Sequence, residues 1–482
     1  MAHPANAAAS GGMKKTLSLW NYFTIGFGAI IGTGWVLLVG NWMILGGGPV
    51  AAIIAFLIGG VFLLPIGAVF GELTAAIPVS GGVVEYADRA FGPGVSRITG
   101  WLLVLGNGIL CPWETIAIST LLADMFGQLF PVLRSVKLYT ILGADVYLFP
   151  TLIALACAVY VILLNFRGAS SAAKLQSFLT KALLCGMLLA MGVSLFRGGP
   201  DNALPLFARV RDAAGATHAK GLTAGVLSVL VMTPFFYSGF DTIPQQAEEA
   251  AEGMDWKKFG RIISFALLAS AVFYVVCIYA FGTILPWRQF TSLPVPALSC
   301  LKGISFPLYL VMLVIATLGP LGPMNSFFGA STRILLAMGR KGQLPAAFTK
   351  VDDRTGTPKT ACILLAAVTV IGPFLGAKML VPLTNVSALA FIFACTMVSF
   401  SCLRMRRTEP DLPRPYRVPG GRIGIGLACA AGTAILLLMV IPFSPAALTP
   451  VEWCILAIWL LMGLALHLAS KSRPDHPPVS CP

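Results

Sequence analysis

An all-α polytopic membrane protein is predicted by three observations. The 482 residues are 57% hydrophobic and only 11% charged, with a mean hydropathy of +0.85, whereas soluble domains carry about 25% charged residues. The apolar residues are gathered into long runs, and about 20 in a row cross a hydrocarbon core as a helix. Two of those runs are broken near their middle by glycine or proline, which a helix in lipid tolerates only where the freed backbone groups face protein or a water-filled cavity.

By that length rule, twelve transmembrane helices follow, at roughly 18–45, 49–77, 98–122, 148–165, 175–196, 222–246, 261–285, 306–339, 360–376, 380–403, 423–442 and 450–470. The first is interrupted within Ile25-Gly26-Phe27-Gly28-Ala29-Ile30-Ile31-Gly32-Thr33-Gly34-Trp35. The sixth is interrupted within Pro234-Phe235-Phe236-Tyr237-Ser238-Gly239-Phe240-Asp241-Thr242-Ile243-Pro244, where two prolines, a glycine and a carboxylate make a poor uninterrupted helix. Broken helices five spans apart point to an inverted-repeat transporter with substrate at the repeat interface near the bilayer midplane. The plainer alternative is that the glycines only let helices pack closely.

The net charge of +14 is spread among short loops rather than gathered in a domain, which argues against nucleic acid as a partner. Most basic residues fall in alternate loops on the side of the N-terminus, so the positive-inside rule puts both termini in the cytoplasm and supports an even number of spans. Residues 1–17 and 471–482 are then short cytoplasmic tails flanking one transporter domain, 18–470. The first apolar run is too long for the core of a cleavable signal, and no processing is expected. Most of the eleven cysteines, such as Cys111, Cys277 and Cys395, lie in apolar runs where Cys behaves as a small hydrophobe. No metal-ligand spacing appears, and neither metal nor cofactor is expected.

Five further blocks occur in order between about residues 17 and 422. They are Gly28 to Gly34; Pro78-Val79-Ser80-Gly81-Gly82-Val83-Val84-Glu85-Tyr86 closing with Ala90-Phe91-Gly92-Pro93; Phe236 to Asp241 followed by Ala247-Glu248-Glu249; Arg333 to Pro345 followed by Thr357-Pro358; and Arg407 to Val418-Pro419. Together they resemble the amino acid–polyamine–organocation superfamily of secondary transporters, the amino acid permeases. The resemblance implies a leucine-transporter type fold: a five-plus-five inverted repeat (18–196 and 222–403) with broken first and sixth helices, plus two extra helices (423–470). It also implies alternating access to an amino acid or amine, with no enzymatic step, in the cell membrane.

Where a half-helix restarts, orphan N–H groups and the positive dipole end favour an anion. The resemblance implies that the first break holds a substrate carboxylate, through the backbone of Gly32, Thr33 and Gly34 and the Thr33 hydroxyl. The amine then meets carbonyls around Ala29, Ile30, Phe235 and Phe236, with Ser238 and Gly239 completing the sixth-span break. Trp35, where the family carries a smaller aliphatic, either narrows the pocket or anchors against lipid. Phe240 either closes over substrate or simply packs.

Charges at the membrane centre cost at least ~2.5–3.5 kcal/mol on insertion scales, so each is a functional candidate. Asp241 is either the protonatable group or a cap on the Thr242 and Ile243 amides. Glu114 contacts the substrate or titrates during transport; otherwise it is a neutral acid bonded to a carbonyl freed near Pro112. The resemblance implies that a lysine in the fifth span can stand in for a sodium ion between the first and eighth spans; Lys181, a turn or two from the cytoplasmic end and earlier than the usual position, either takes that role or snorkels to the interface. Asn325 and Ser326 either coordinate sodium or act as interhelical glue. Glu72, the Arg333 block and the 404–422 loop read as structural or cytoplasmic-gate features, with Arg333 paired to Glu248 or Glu249 or serving as an ordinary anchor.

The leading function is therefore a proton-coupled permease in the lipid bilayer. A polyamine or cationic amine carrier, a substrate exchanger, and a substrate-binding membrane sensor or partner-dependent subunit are the alternatives.

Overall fold

A computed structural model describes Lys15 and residues 17–206, 209–211, 217–219 and 222–471, without the side chains of 169–176, 209–211, 217–219 and 471. Most of both predicted tails therefore lies outside the described residues. Most of the described residues are helical, and the named strands form only two antiparallel hairpins, Lys137–Ile141 with Ala144–Tyr147 and Arg209–Arg211 with Thr217–Ala219.

Among the described residues nine helices are long and apolar enough to cross a membrane. The pair Leu19–Ile30 and Gly34–Gly46, bent by 42° at the intervening break, makes a tenth. Two predicted spans fall short by this measure, for different reasons. Segment 222–246 is divided into Leu222–Leu230, Thr233–Tyr237 and Thr242–Gln245, and the ninth is only Lys359–Phe374.

Local chemistry sets the helix ends. Ser18 caps the first helix reciprocally with Asn21, accepting the Asn21 amide at 3.3 Å while its own amide donates to Asn21 Oδ1 at 3.0 Å. Asp255 caps Trp256–Gly282, accepting from the Lys257 and Lys258 amides at 3.0 Å. Buried hydroxyls in the spans bond back to their own helix, as Thr396 does to the Ile392 carbonyl at 2.7 Å, which satisfies them without a partner helix.

The centre of the bundle is built from the two broken spans, Pro93–Gly108 continuing into Leu110–Leu121, Leu321–Arg340 and Leu380–Thr408. In Leu321–Arg340 every residue but Arg340 is buried. Helices Leu148–Phe166, Gly421–Val440 and Pro450–Lys471 lie at the periphery, and the last is stapled on by the stacked Trp101 and Trp459 rings, 4.6 Å apart. Each indole N–H donates to the other residue's carbonyl, at 2.8 and 3.0 Å.

At the end predicted to be cytoplasmic, Glu72 is fully buried and binds three elements. It accepts two bonds from Arg406 at 2.7 and 2.5 Å, lies 3.3 Å from Arg414 Nε, and accepts the Val418 amide at 2.7 Å. Removing one partner of such a buried pair costs about 3–5 kcal/mol because the other charge is left uncompensated. Glu72→Gln is thus expected to lower thermal stability markedly. Glu85→Gln, in the partly exposed cluster with Arg89 and Lys341, should cost under ~1 kcal/mol. Thermal unfolding of the purified variants distinguishes them, and equal shifts would refute the assignment.

Candidate substrate site at the apposed breaks

The two breaks lie against each other. Gly239 has φ +125, and a Cβ there would sit 2.6 Å from the Ile30 amide nitrogen and 2.8 Å from the Ala29 carbonyl carbon. Only glycine permits this approach with this backbone. In the first break Ile31 still bonds to the Phe27 carbonyl at 2.9 Å. Beyond it the amides of Gly32, Thr33 and Gly34 donate to no protein group among the described residues, and they open the half-helix Gly34–Gly46, where an anion is favoured.

Glu114 reaches this point from the third span. Its Oε2 lies 3.5 Å from the Thr33 hydroxyl, which donates to it. A Cβ on Gly32 would stand 3.0 Å from Glu114 Oε1 and 2.8 Å from Pro323 Cγ of the eighth span. Glu114 is buried, and no ion pair is formed to it among the described residues. Of the four carbonyls expected to meet an amine, two are engaged: Ile30 accepts the Tyr274 hydroxyl at 3.0 Å, and Phe235 accepts the Ser238 hydroxyl at 2.6 Å and its amide at 3.2 Å. Those of Ala29 and Phe236 accept nothing among the described residues. Phe236 closes one wall, with a Cβ on Gly34 falling 3.0 Å from its ring. Trp113, pinned by its indole N–H to Leu380 and Thr384, stands 5.4 Å from Phe235.

Several expectations are redirected. Asp241 does not cap Thr242 and Ile243: its carboxylate folds back to accept the Gly239 amide at 3.1 Å and takes a second bond from Asn107 Nδ2 at 2.6 Å. Lipid anchoring fails for Trp35, which is buried against Phe273 and Phe281. Phe240 is fully buried between Phe70 and Phe391. Lys181 is exposed on the outside of Ala169–Arg197, so the fold does not bring it between the first and eighth spans. Its neighbour Thr180 is the inward residue, donating to the Thr24 carbonyl at 3.4 Å. Asn325 accepts from Asn165 at 2.9 Å, and Ser326 donates to the Ile25 carbonyl at 3.4 Å.

Asn107, Tyr274 and Asn165 do not stand out in the sequence. Each is a polar side chain in an apolar span, a signal that identifies a partner-seeking group but not its partner.

On the side of the chain's N-terminus the breaks are tied together. Leu17 donates to the Glu249 carbonyl at 2.9 Å and accepts the Ala251 amide at 3.0 Å, and the Tyr22 hydroxyl donates to the Gln246 carbonyl at 2.8 Å. Of the pairings expected for Arg333, the one with Glu249 forms, at 2.7 Å and buried. Arg340 bonds Glu248 at 2.9 Å, and Lys341 bonds both Glu85 and Asp88 at 2.8 Å. Burial pushes the Glu85 carboxyl up, but Arg89 and Lys341 beside it hold it below the usual range. The cluster is therefore charged near neutral pH and is lost only as pH falls through that lowered value.

The family model described as "Amino acid permease" matches residues 17–465. The chain is 24% identical over 469 residues to the branched-chain amino acid permease BcaP of Bacillus subtilis (strain 168), covering 96% of this chain and 94% of that one. It is 28% identical over 430 residues to the aspartate-proton symporter of the same organism, covering 85% and 76%. With the L-asparagine permease of Streptomyces coelicolor (strain ATCC BAA-471 / A3(2) / M145) it shares 26% over 493 residues, covering 98% and 95%.

Proposed function

Since the chain belongs to the amino acid permease family, we propose that it is a secondary active transporter carrying an amino acid or small amine across the cytoplasmic membrane by alternating access, driven by protons. Both termini face the cytoplasm in this reading, and the transporter domain is 18–470 with repeats 18–196 and 222–403. The observation that carries it is the meeting of three unpartnered amides, Gly32 to Gly34, with the Glu114 carboxyl at the apposed breaks.

A substrate carboxylate takes the three amides, and its amine takes the Ala29 and Phe236 carbonyls. That carboxylate lies beside Glu114, and two carboxyl groups so close share a proton rather than both carrying charge. A proton shared between the two carboxyl groups ties the two fluxes. Asp241, held by Asn107 and the Gly239 amide, keeps the second break in register. The relatives are named for branched-chain, acidic and amide amino acids, so the class of side chain is open. A cationic amine carrier is the second reading, favoured by Glu114 having no basic partner among the described residues.

Uptake of labelled neutral, acidic and cationic amino acids and diamines into proteoliposomes, in sodium-free buffer with and without an inward proton gradient, tests this. Accumulation that follows the gradient is expected. Uptake only into liposomes preloaded with substrate would make the protein an exchanger, and binding without transport would make it a sensor.

A further inference from the structure

A crevice of about 690 Å³ separates the second, seventh and eleventh spans on the outer surface of the bundle. This is within the range of about 300–1,000 Å³ typical of ligand pockets. Its walls are apolar, formed by Val61, Pro65 and Ala68 of Pro49–Ala76 and by Leu427 and Ala434 of Gly421–Val440. The exception is Ser264 of Trp256–Gly282, which also lines it and whose buried hydroxyl has no hydrogen-bond partner among the described residues. A serine in a membrane helix ordinarily bonds to a carbonyl of its own preceding turn.

One end of the crevice is marked by charge. Val418, Pro419 and Gly424 form that rim, and Arg417 and Arg422 are each within two residues of it. Arg261 stands one turn before Ser264. The backbones carrying these arginines are in contact, because a Cβ on Gly260 would strike the Tyr416 ring and one on Gly424 would meet the Pro419 carbonyl and the Val418 side chain. Arg261, Arg417 and Arg422 are exposed. Among the described residues none of the three forms an ion pair or hydrogen bond, whereas nearby Arg406 and Arg414 are both committed to Glu72.

We infer that this crevice binds one anionic phospholipid, its acyl chain along the apolar wall and its phosphate among Arg261, Arg417 and Arg422. Basic groups at the polar end of a gap between spans are the electrostatic complement of such a headgroup. Ser264 lies three residues deeper than Arg261, about 4.5 Å along the helix, the depth of the glycerol esters below the phosphate, where its hydroxyl donates to an ester carbonyl. The lipid bridges the second, seventh and eleventh spans, close to where Glu72 ties the second span to the tenth and to the loop that leads into the eleventh.

The test uses the purified full-length protein, delipidated in neutral detergent and equilibrated with phosphatidylglycerol or phosphatidylcholine of the same chains, with adducts counted by native mass spectrometry. Phosphatidylglycerol is expected to be retained at least about ten-fold better, by attraction of its phosphate to the three basic residues, and the preference should fall as salt is raised. The triple variant R261Q/R417Q/R422Q brings the two lipids to parity. The matching triple Arg→Lys variant and R288Q, at a distant site, keep the preference. Ala434→Phe, at an exposed position that reaches no core, weakens retention of both lipids. Parity in the unaltered protein, or a preference that survives the triple Arg→Gln change, overturns the inference. So does displacement of the lipid by inorganic phosphate alone, which would mark a free-anion site. None of these outcomes depends on transport, so the lipid site and the transport reading fail separately.

Discussion

Gly239→Ala is expected to abolish uptake while the protein still inserts in the membrane. The added methyl would fall within 2.6–2.9 Å of the Ile30 nitrogen, the Ala29 carbonyl carbon and the Ala29 Cβ. Two of these atoms are backbone, so no side-chain rotation relieves the clash. The residue must also hold φ +125. Overpacking and a disallowed backbone each cost about 1–3 kcal/mol, and both fall on the contact that joins the two breaks. A loss of about 100-fold in transport per inserted molecule is consistent with that sum, at 1.4 kcal/mol per factor of ten. Gly303→Ala, where an added Cβ meets nothing within 4 Å, should behave as the unaltered protein. Uptake by Gly239→Ala near the normal rate would show that the breaks separate without penalty.

The second large effect divides the two buried acids beside the breaks, Asp241 and Glu114, by what each side chain holds. Asp241 accepts from two donors, the Gly239 amide and Asn107. Asp241→Asn places an N–H₂ group against one of them, leaving a buried donor unsatisfied at a cost of about 1–3 kcal/mol, and transport should fall about 10- to 100-fold for every substrate. Glu114→Gln is different, because a side-chain amide oxygen still accepts from the Thr33 hydroxyl and geometry is kept while the charge is lost. Uptake of amino acids should persist but no longer follow the proton gradient, and competition by diamines should weaken about ten-fold, the value of one desolvated charge contact. The pH profile of uptake and the diamine inhibition curve read these separately. Unchanged specificity and pH profile in Glu114→Gln would reduce Glu114 to a structural acid.

The features legible in the sequence are those that a single physical requirement decides. Lipid demands long apolar helices, so most spans, and the two places where the helix fails, are visible as interruptions of a run. The ninth is legible too, a short run read at 360–376 that the structure shows as the apolar helix Lys359–Phe374, its last turn passing over Gly372 and Pro373. The facing of residues is much less legible. In helices that are apolar all round, the usual amphipathic stripe is absent, and one step of about 100° separates the inward Thr180 from the exposed Lys181. Partners distant in the chain are hidden for the same reason, since nothing local to Asp241 points to Asn107, 134 residues away. The unpartnered amides of Gly32 to Gly34 are foreseeable because backbone orphans at a helix restart need no knowledge of neighbours. The pairing of Arg333 is narrowed by sequence to two adjacent acids but not decided between them.

The ties from Leu17 and Tyr22 to Gln246, Glu249 and Ala251 have a mechanical result. They make the N-terminal half of the first span and the C-terminal end of the sixth a single lever, which Arg333 bolts to the eighth span through Glu249. For either half-helix to swing alone, these bonds must break. A tilt of the lever turns on Gly32–Gly34, whose amides donate to no protein group among the described residues, and on Ser238–Gly239, where the helix lapses and the Gly239 amide bonds the Asp241 carboxylate instead of a helical carbonyl. In the proposed transport cycle the stiffness is therefore concentrated away from the candidate substrate site and the compliance at it, so that a small molecule bridging the two hinges would decide when they turn.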